Sequence, residues 1–325
     1  MKALILEKAN EKPKVVNDFE KPVPKEDELL VKVHCVALNP VDYKLVSWPQ
    51  TTWKFPHILG LDVSGVVEEI GEKVKDFQKG DRIYYHGSLF TRGGFAEFAV
   101  CKAIVAAKIP EEVTFEEAAC LPTAGFTAYI CCIKNCVLQN QPEWDNRSNE
   151  DETKRKVVLI NGAAGGVGGY CLQISKKICN CEVIGTCSPN HADYVRKLGA
   201  DHVIDYNTED ITKRAKEITK GRGVDAFIDL VGQDSTTEGL NALCFGGKLC
   251  YIASPPKALP PMFEAKSVSS CALGWAYTAD ELALHELGFI AKTMVNWLKE
   301  KKISSPDFKT IKLEEIPEYF ELFES

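Results

Sequence analysis

Apolar positions recur along the chain in two rhythms, which change over near residue 156. Before that point, short β-branched runs at 3–6, 29–36, 63–70 and 82–85 are separated by proline, glycine and charge, as at 21–28 and 71–80. Runs of that length with such boundaries predict strands. Gly93 and Gly94 open one more run, through Val100. The segments are too short and too glycine-punctuated for a parallel sheet with helical crossovers, so they predict an antiparallel, barrel-like domain. Thr114-x-x-Glu117 caps a helix over 114–119, Pro122 ends it, and 125–136 is apolar enough for a buried helix. Residues 139–155 are polar and nearly free of aliphatics, and predict an exposed insertion.

From residue 156 the rhythm is strand, helix, strand. Strands are expected at 157–160, 182–186, 202–205, 226–230 and 247–253, with helices at 168–179, 192–198, 211–219 and 235–244 between them. That alternation with short links is the doubly wound parallel α/β pattern. A further strand is expected at 268–273, a long amphipathic helix at 279–301, and a strand and helix at 311–313 and 317–323.

Chemistry gathers where the rhythm changes. Asn161 to Gly169 hold five glycines and two alanines in nine positions, between a buried strand and a helix. Glycines there allow a tight turn and close approach of a pyrophosphate to the positive end of the helix. The pattern reads Ala163-x-Gly165-x-x-Gly168, with alanine in place of the first glycine of the dinucleotide fingerprint. A glycine turn alone also serves plain strand-to-helix packing; the flanking strand and helix favour a nucleotide site.

Composition narrows the classes. At 325 residues two domains are expected, here 1–123 with 280–325, and 124–279. A net charge of −7 argues against nucleic acid as a main partner. The N-terminus lacks a secretory apolar region, and no apolar run reaches the roughly 20 residues of a membrane span. Thirteen cysteines without any C-x-x-C, several inside apolar runs, suggest reduced thiols in the cytosol; a redox pair at Cys179 and Cys181 is the alternative.

Taken together, several segments resemble the medium-chain dehydrogenase/reductase superfamily, in its zinc-free quinone and enone reductase branch. They are Asn39-Pro40-Val41-Asp42-Tyr43-Lys44, the Gly60–Val67 and Val74–Asp81 segments, Gly93 to Phe98, Leu121 to Tyr129, the glycine turn, and Leu198-Gly199-Ala200-Asp201. The resemblance covers nearly the whole chain. It implies a GroES-like catalytic domain, a Rossmann nucleotide domain, and a homodimer formed through the edge strand at 268–273. Members usually close the catalytic domain with a last strand after the helix matching 317–323, and the sequence stops at Ser325, before it.

In zinc-dependent relatives the catalytic metal is held by a cysteine, a His-Glu pair and a second cysteine. The matching positions here carry Asn39, Leu61-Asp62 and Thr123, so no metal is expected. Without a Lewis acid, hydride transfer favours an acceptor that spreads its developing charge by conjugation, a quinone or an α,β-unsaturated carbonyl. The second strand ends without the acid that binds NAD ribose. Ser188 leaves room for a 2′-phosphate, and Tyr206 resembles a tyrosine that NADPH-using members place beside it. NADPH is therefore the expected cofactor, although Asn190 stands where members often have lysine.

By resemblance, Thr127 would touch the nicotinamide end. Gly165, Gly166 and Val167 would face the pyrophosphate, and Val231 and Ala253 would flank the ribose and nicotinamide. Asn39 is the candidate donor to a substrate carbonyl, or else a loop cap before Pro40. Tyr43 is the candidate proton donor or stacking wall, or else a core aromatic. Two other readings stand beside the reductase: a non-catalytic NADPH binder, acting as a sensor or an RNA-binding moonlighter, and an alcohol dehydrogenase-like carbonyl reductase.

Overall fold

The computed structural model describes residues 1–139, 155–232, 234–258 and 265–324. The insertion expected over 139–155 falls, but for its two end residues, outside them. The chain divides into two compact units, Met1–Phe126 with Leu273–Ser325, and Thr127–Ala272.

The first unit begins β1 (Ala3–Leu6), β2 (Lys14–Val16), β3 (Glu28–Ala37), α1 (Pro40–Ser47) and β4 (His57–Ile58). It continues β5 (Asp62–Ile70), β6 (Arg82–His86), β7 (Phe98–Lys102), β8 (Ala107–Lys108) and α2 (Phe115–Ala119). All pairings are antiparallel, in a three-stranded sheet β2-β1-β4 and a five-stranded sheet β7-β3-β5-β6-β8. β7 starts five residues later than the glycine pair suggested. Gly93, Gly94 and Phe95 instead give their N–H groups to Ile58, Gly60 and Leu59, and are held across the chain before β5. The box at α2 forms as expected: Glu117 N–H donates to Thr114 Oγ1 at 3.1 Å and Thr114 N–H to Glu117 Oε2 at 2.9 Å. In α1, Pro40 fills a first-turn position that needs no donor, and the Asn39 N–H donates to Asp42 Oδ2 at 2.8 Å.

The second unit opens with α3 (Thr127–Tyr129), which runs on through π turns over Ile130–Asn135. β9 (Val157–Asn161), α4 (Gly166–Gln173), β10 (Glu182–Cys187), α5 (Ala192–Leu198), β11 (His202–Asp205) and α6 (Ile211–Ile218) follow. β12 (Val224–Asp229), α7 (Asp234–Ala242), β13 (Leu243–Tyr251) and β14 (Ser267–Ser270) complete it. The sheet is parallel throughout, ordered β11-β10-β9-β12-β13-β14. This is the doubly wound order, with its topological switch between the first and fourth strands, here β9 and β12.

Several boundaries differ from expectation. The helix at 235–244 ends at Ala242 and its strand starts at Leu243, because Leu243 already pairs with Val224 across a register shift. β14 stops at Ser270, and Leu273 belongs to a 3-10 turn, Leu273–Thr278.

The first unit resumes with α8 (Glu281–Lys299) and α9 (Ile316–Glu324). α8 buries Leu284, Leu287, Ala291, Met294, Val295 and Leu298, the stripe of a helix with one face inward. Its backbone at Ala291 accepts the buried Tyr84 hydroxyl. Ile316 and Phe320 of α9 join Leu4, Leu45, Ile58, Leu61 and Phe95 in one core cluster. No strand forms at 311–313. The Glu315 carboxylate accepts the Lys312 N–H at 2.7 Å and folds Leu313–Glu315 into a 3-10 turn instead.

Candidate functional site

The glycine turn lies where β9 hands over to α4. Five consecutive apolar or strand-end positions in β9 are buried. Gly162 takes φ +84°, which suits glycine, and its N–H donates to Thr186 Oγ1 at 3.0 Å. Gly168 permits the closest approach: a Cβ there would fall 2.3 Å from the Gly162 carbonyl oxygen and 2.7 Å from Ala163 Cα. Ala163 is fully buried, and a Cβ on Gly185 would meet its methyl at 3.0 Å, so alanine fills the first fingerprint position by packing on β10. Gly165 precedes α4, which has no side-chain cap. Gly165 and Gly166 are exposed and Val167 half-buried, so the positive end of an eight-residue helix is presented bare. Those are the features a pyrophosphate needs.

A buried polar network fixes this turn. Thr186 Oγ1 donates to Asn161 Oδ1 at 2.7 Å, and Asn161 Nδ2 donates to Asp229 Oδ1 at 2.9 Å. Asp229 also accepts the N–H groups of Val231 and Gly232, each at 3.2 Å, and the hydroxyls of Ser235 and Thr236. The carboxyl ends of β9, β10 and β12 are thus tied through one carboxylate. Sequence reading missed Asn161, Thr186 and Asp229. Their signal was a polar residue near the end of each otherwise apolar strand.

The remaining nucleotide candidates lie at strand ends of the same sheet. Val231 is 57% exposed just past β12, and Ala253 is exposed two residues past β13. Thr127 is buried at the start of α3, which packs on α4. Ser188, just past β10, has its hydroxyl 3.0 Å from His191 Nδ1. Tyr206 is 53% exposed just past β11. Asp205 is turned into its own loop, where it accepts the Asn207 N–H and Nδ2 and the Thr208 hydroxyl. Arg196 is exposed and pairs with Asp193 at 3.4 Å.

Asn39 and Tyr43 belong to the first unit. The Asn39 side chain does not cap α1; its Nδ2 donates to Asp62 Oδ2 at 2.9 Å and points at Ala37 O at 3.4 Å. Thr123 adds its N–H, at 3.0 and 2.9 Å, and its hydroxyl, at 2.6 Å, to the same carboxylate. Burial pushes Asp62 up to about 7, against the pull of these donors. Asp42 is buried beside it and pushed up to about 8, first by burial and also by the nearby Asp62 charge. Asp42 Oδ1 has no hydrogen-bond partner. Tyr43 is half-buried on the first unit's core, its ring 6.5 Å from Phe323. Among the described residues, no three His, Cys, Asp or Glu side chains are grouped as a metal ion would need.

Comparison with known proteins decides the family. Residues 25–111 match the alcohol dehydrogenase GroES-like domain, and 166–278 match the zinc-binding dehydrogenase family. A chloroplast envelope quinone oxidoreductase homolog of Arabidopsis thaliana is 32% identical over 297 residues, 87% of this chain and 82% of its own length. The chain belongs to the medium-chain dehydrogenase/reductase superfamily, in its quinone oxidoreductase branch.

Within that superfamily, the chloroplastic quinone-oxidoreductase homolog of Spinacia oleracea is 40% identical over 190 residues; the match spans 58% of this chain and 55% of that protein. The quinone oxidoreductase of Pseudomonas syringae superposes with a TM-score of 0.84 at 25% identity, over 99% of this chain and 95% of that one. Medium-chain reductase membership brings oxidoreductase chemistry on a small molecule with a nicotinamide cofactor. Among the described residues, no helix is long and apolar enough to cross a membrane.

Proposed function

We propose that the chain is an NADPH-dependent, zinc-independent reductase of quinones or α,β-unsaturated carbonyls. The observation that carries this is the bare N-terminus of α4, set by Gly168 and the Asp229 network, beside a strand end that offers Ser188 and His191 rather than an acid. The bound nicotinamide supplies the hydride. The Ser188 hydroxyl and the His191 ring favour a 2′-phosphate over a bare ribose. Asp205, the neighbouring acid, is occupied by its own loop. The zinc-independent reading rests on donor chemistry. Leu61 has no ligating atom, and the Asp62 oxygens are spent on Thr123 and Asn39. With no such ion to hold an alkoxide, a conjugated acceptor is the fitting substrate. Val231 and Ala253 give the strand ends an exposed apolar surface against which the ribose and nicotinamide can lie. By the same resemblance, a second copy pairs through β14.

Stopped-flow oxidation of NADPH against a panel of quinones and enones tests this, together with NADPH and NADH binding. Turnover on a conjugated acceptor, with NADPH bound more tightly than NADH, is expected. Tight NADPH binding without turnover on any acceptor would instead favour the non-catalytic binder, to which the engaged Asn39 amide is the pointer.

A further inference from the structure

Away from the glycine turn, in the first unit, residues 52–54, 57 and 90–92 line an open concavity of about 240 Å³. Two hydrogen bonds lock its walls together: Trp53 Nε1 donates to Leu89 O at 2.7 Å and Thr52 Oγ1 to Phe90 O at 3.1 Å. The His57 ring lies flat against Trp53, with centroids 3.8 Å apart and planes within 11°. His57 is buried, and burial together with Arg92 pushes it down to about 4, so near neutral pH this wall carries no charge. Arg92 is steadied over the Phe19 ring at 4.7 Å from its centroid. Many exposed lysines of this chain are matched to carboxylates, as Lys73 is to Glu26 and Lys108 to Asp81. Arg92 and Lys54 have no such partner among the described residues, on a protein of net charge −7. The site therefore combines flat aromatic walls, a neutral imidazole and two unneutralised cations.

We propose that this concavity binds a small planar aromatic anion, an aryl carboxylate or sulfonate of one or two rings. Its rings lie along Trp53 and Phe90, and its acid group meets Arg92 and Lys54. A guanidinium fork matches a carboxylate in a bidentate way, and the ammonium adds a second charge. The concavity is small beside the ~300–1,000 Å³ of drug-sized sites, which matches an occupant of one or two rings. An uncharged aromatic gains the walls but leaves both cations without a partner. No residue of this site takes part in the proposed nucleotide or carbonyl chemistry, so the inference stands whether or not that reading holds.

Calorimetric titration of the full chain with naphthoate tests it. Saturable binding is expected, weakened about tenfold by Arg92→Gln and several-fold by Lys54→Gln, and about tenfold weaker for neutral naphthalenemethanol. Thermal melting of both variants verifies the fold, and Lys54, an exposed position, gives the variant least prone to disturb it. Three results would overturn the proposal: no saturable binding to the folded chain in the millimolar range, equal affinity for the acid and the alcohol, or wild-type affinity in both variants.

Discussion

Two buried carboxylates of this protein live in opposite circumstances. Asp229, at the end of β12, collects a side-chain amide, two hydroxyls and two backbone N–H groups. Asp42, in α1, has an oxygen with no partner and a second acid, Asp62, for a neighbour. The first is a carboxyl group that the fold has surrounded with fixed donors. The second is a burial the fold meets by favouring the protonated form. The strand ends bring side-chain donors from β9 and α7 to Asp229, whereas Asp42 is met by backbone donors alone.

The largest effect should follow from breaking the satisfied carboxylate. Asp229→Ala strands the Asn161 amide and two backbone N–H groups, while Ser235 and Thr236 keep the carbonyls of Gly232 and Ser254, and it should destabilise the protein by about 3 kcal/mol in urea unfolding. Asp229→Asn, which keeps some acceptors, should recover part of that. A loss under about 1 kcal/mol would show that the network does not hold the strand ends.

Next comes the glycine turn. Gly168→Ala forces a Cβ towards the Gly162 carbonyl and should destabilise by about 2 kcal/mol while weakening NADPH at least tenfold. At Gly165 a Cβ meets nothing closer than Gly162 O at 3.6 Å. Gly165→Ala should therefore leave the unfolding curve in place and weaken the nucleotide alone.

The unsatisfied carboxylate should show itself through pH. Asp42 has an ordinary value of 3.8 and a folded value of about 8, so the folded state holds a proton that the unfolded chain has lost over that window. Its contribution is complete below the lower value and lost as pH rises through the higher one. Stability should thus fall with pH by up to ~1.4 kcal/mol per unit from this group. Asp62, raised to about 7, acts in the same direction up to its own value. Asp42→Asn should flatten the slope and raise stability at pH 8 relative to pH 5, which unfolding curves across that range would reveal. An unchanged slope would mean that Asp42 stays ionised.

The smallest effect concerns cofactor choice. His191→Ala and Ser188→Ala should each weaken NADPH a few-fold, under about 1 kcal/mol, and leave NADH unchanged. Equal losses for both nucleotides would place the pair away from the 2′-phosphate.

Local signals were legible from the start. β-branched runs, the Thr114–Glu117 box and the rise of glycine after residue 161 are decided within a few residues, by backbone preference and neighbouring side chains. They gave the antiparallel and parallel halves and the position of the turn. β2, three residues among charges, carried too little pattern to be seen. The early onset of β13 depended on a partner nineteen residues back.

The chain's order of residues therefore determined which segments become strands and helices, and where a nucleotide could approach the backbone. Only the tertiary structure decided that Asn161 and Asp229, 68 positions apart, share a hydrogen bond, and that the Asn39 amide is spent on Asp62. It alone brought Trp53, His57 and Arg92 around one concavity. The reason is physical: local propensity acts along the chain, but a carboxylate's protonation and a donor's availability depend on what folding packs against them from elsewhere.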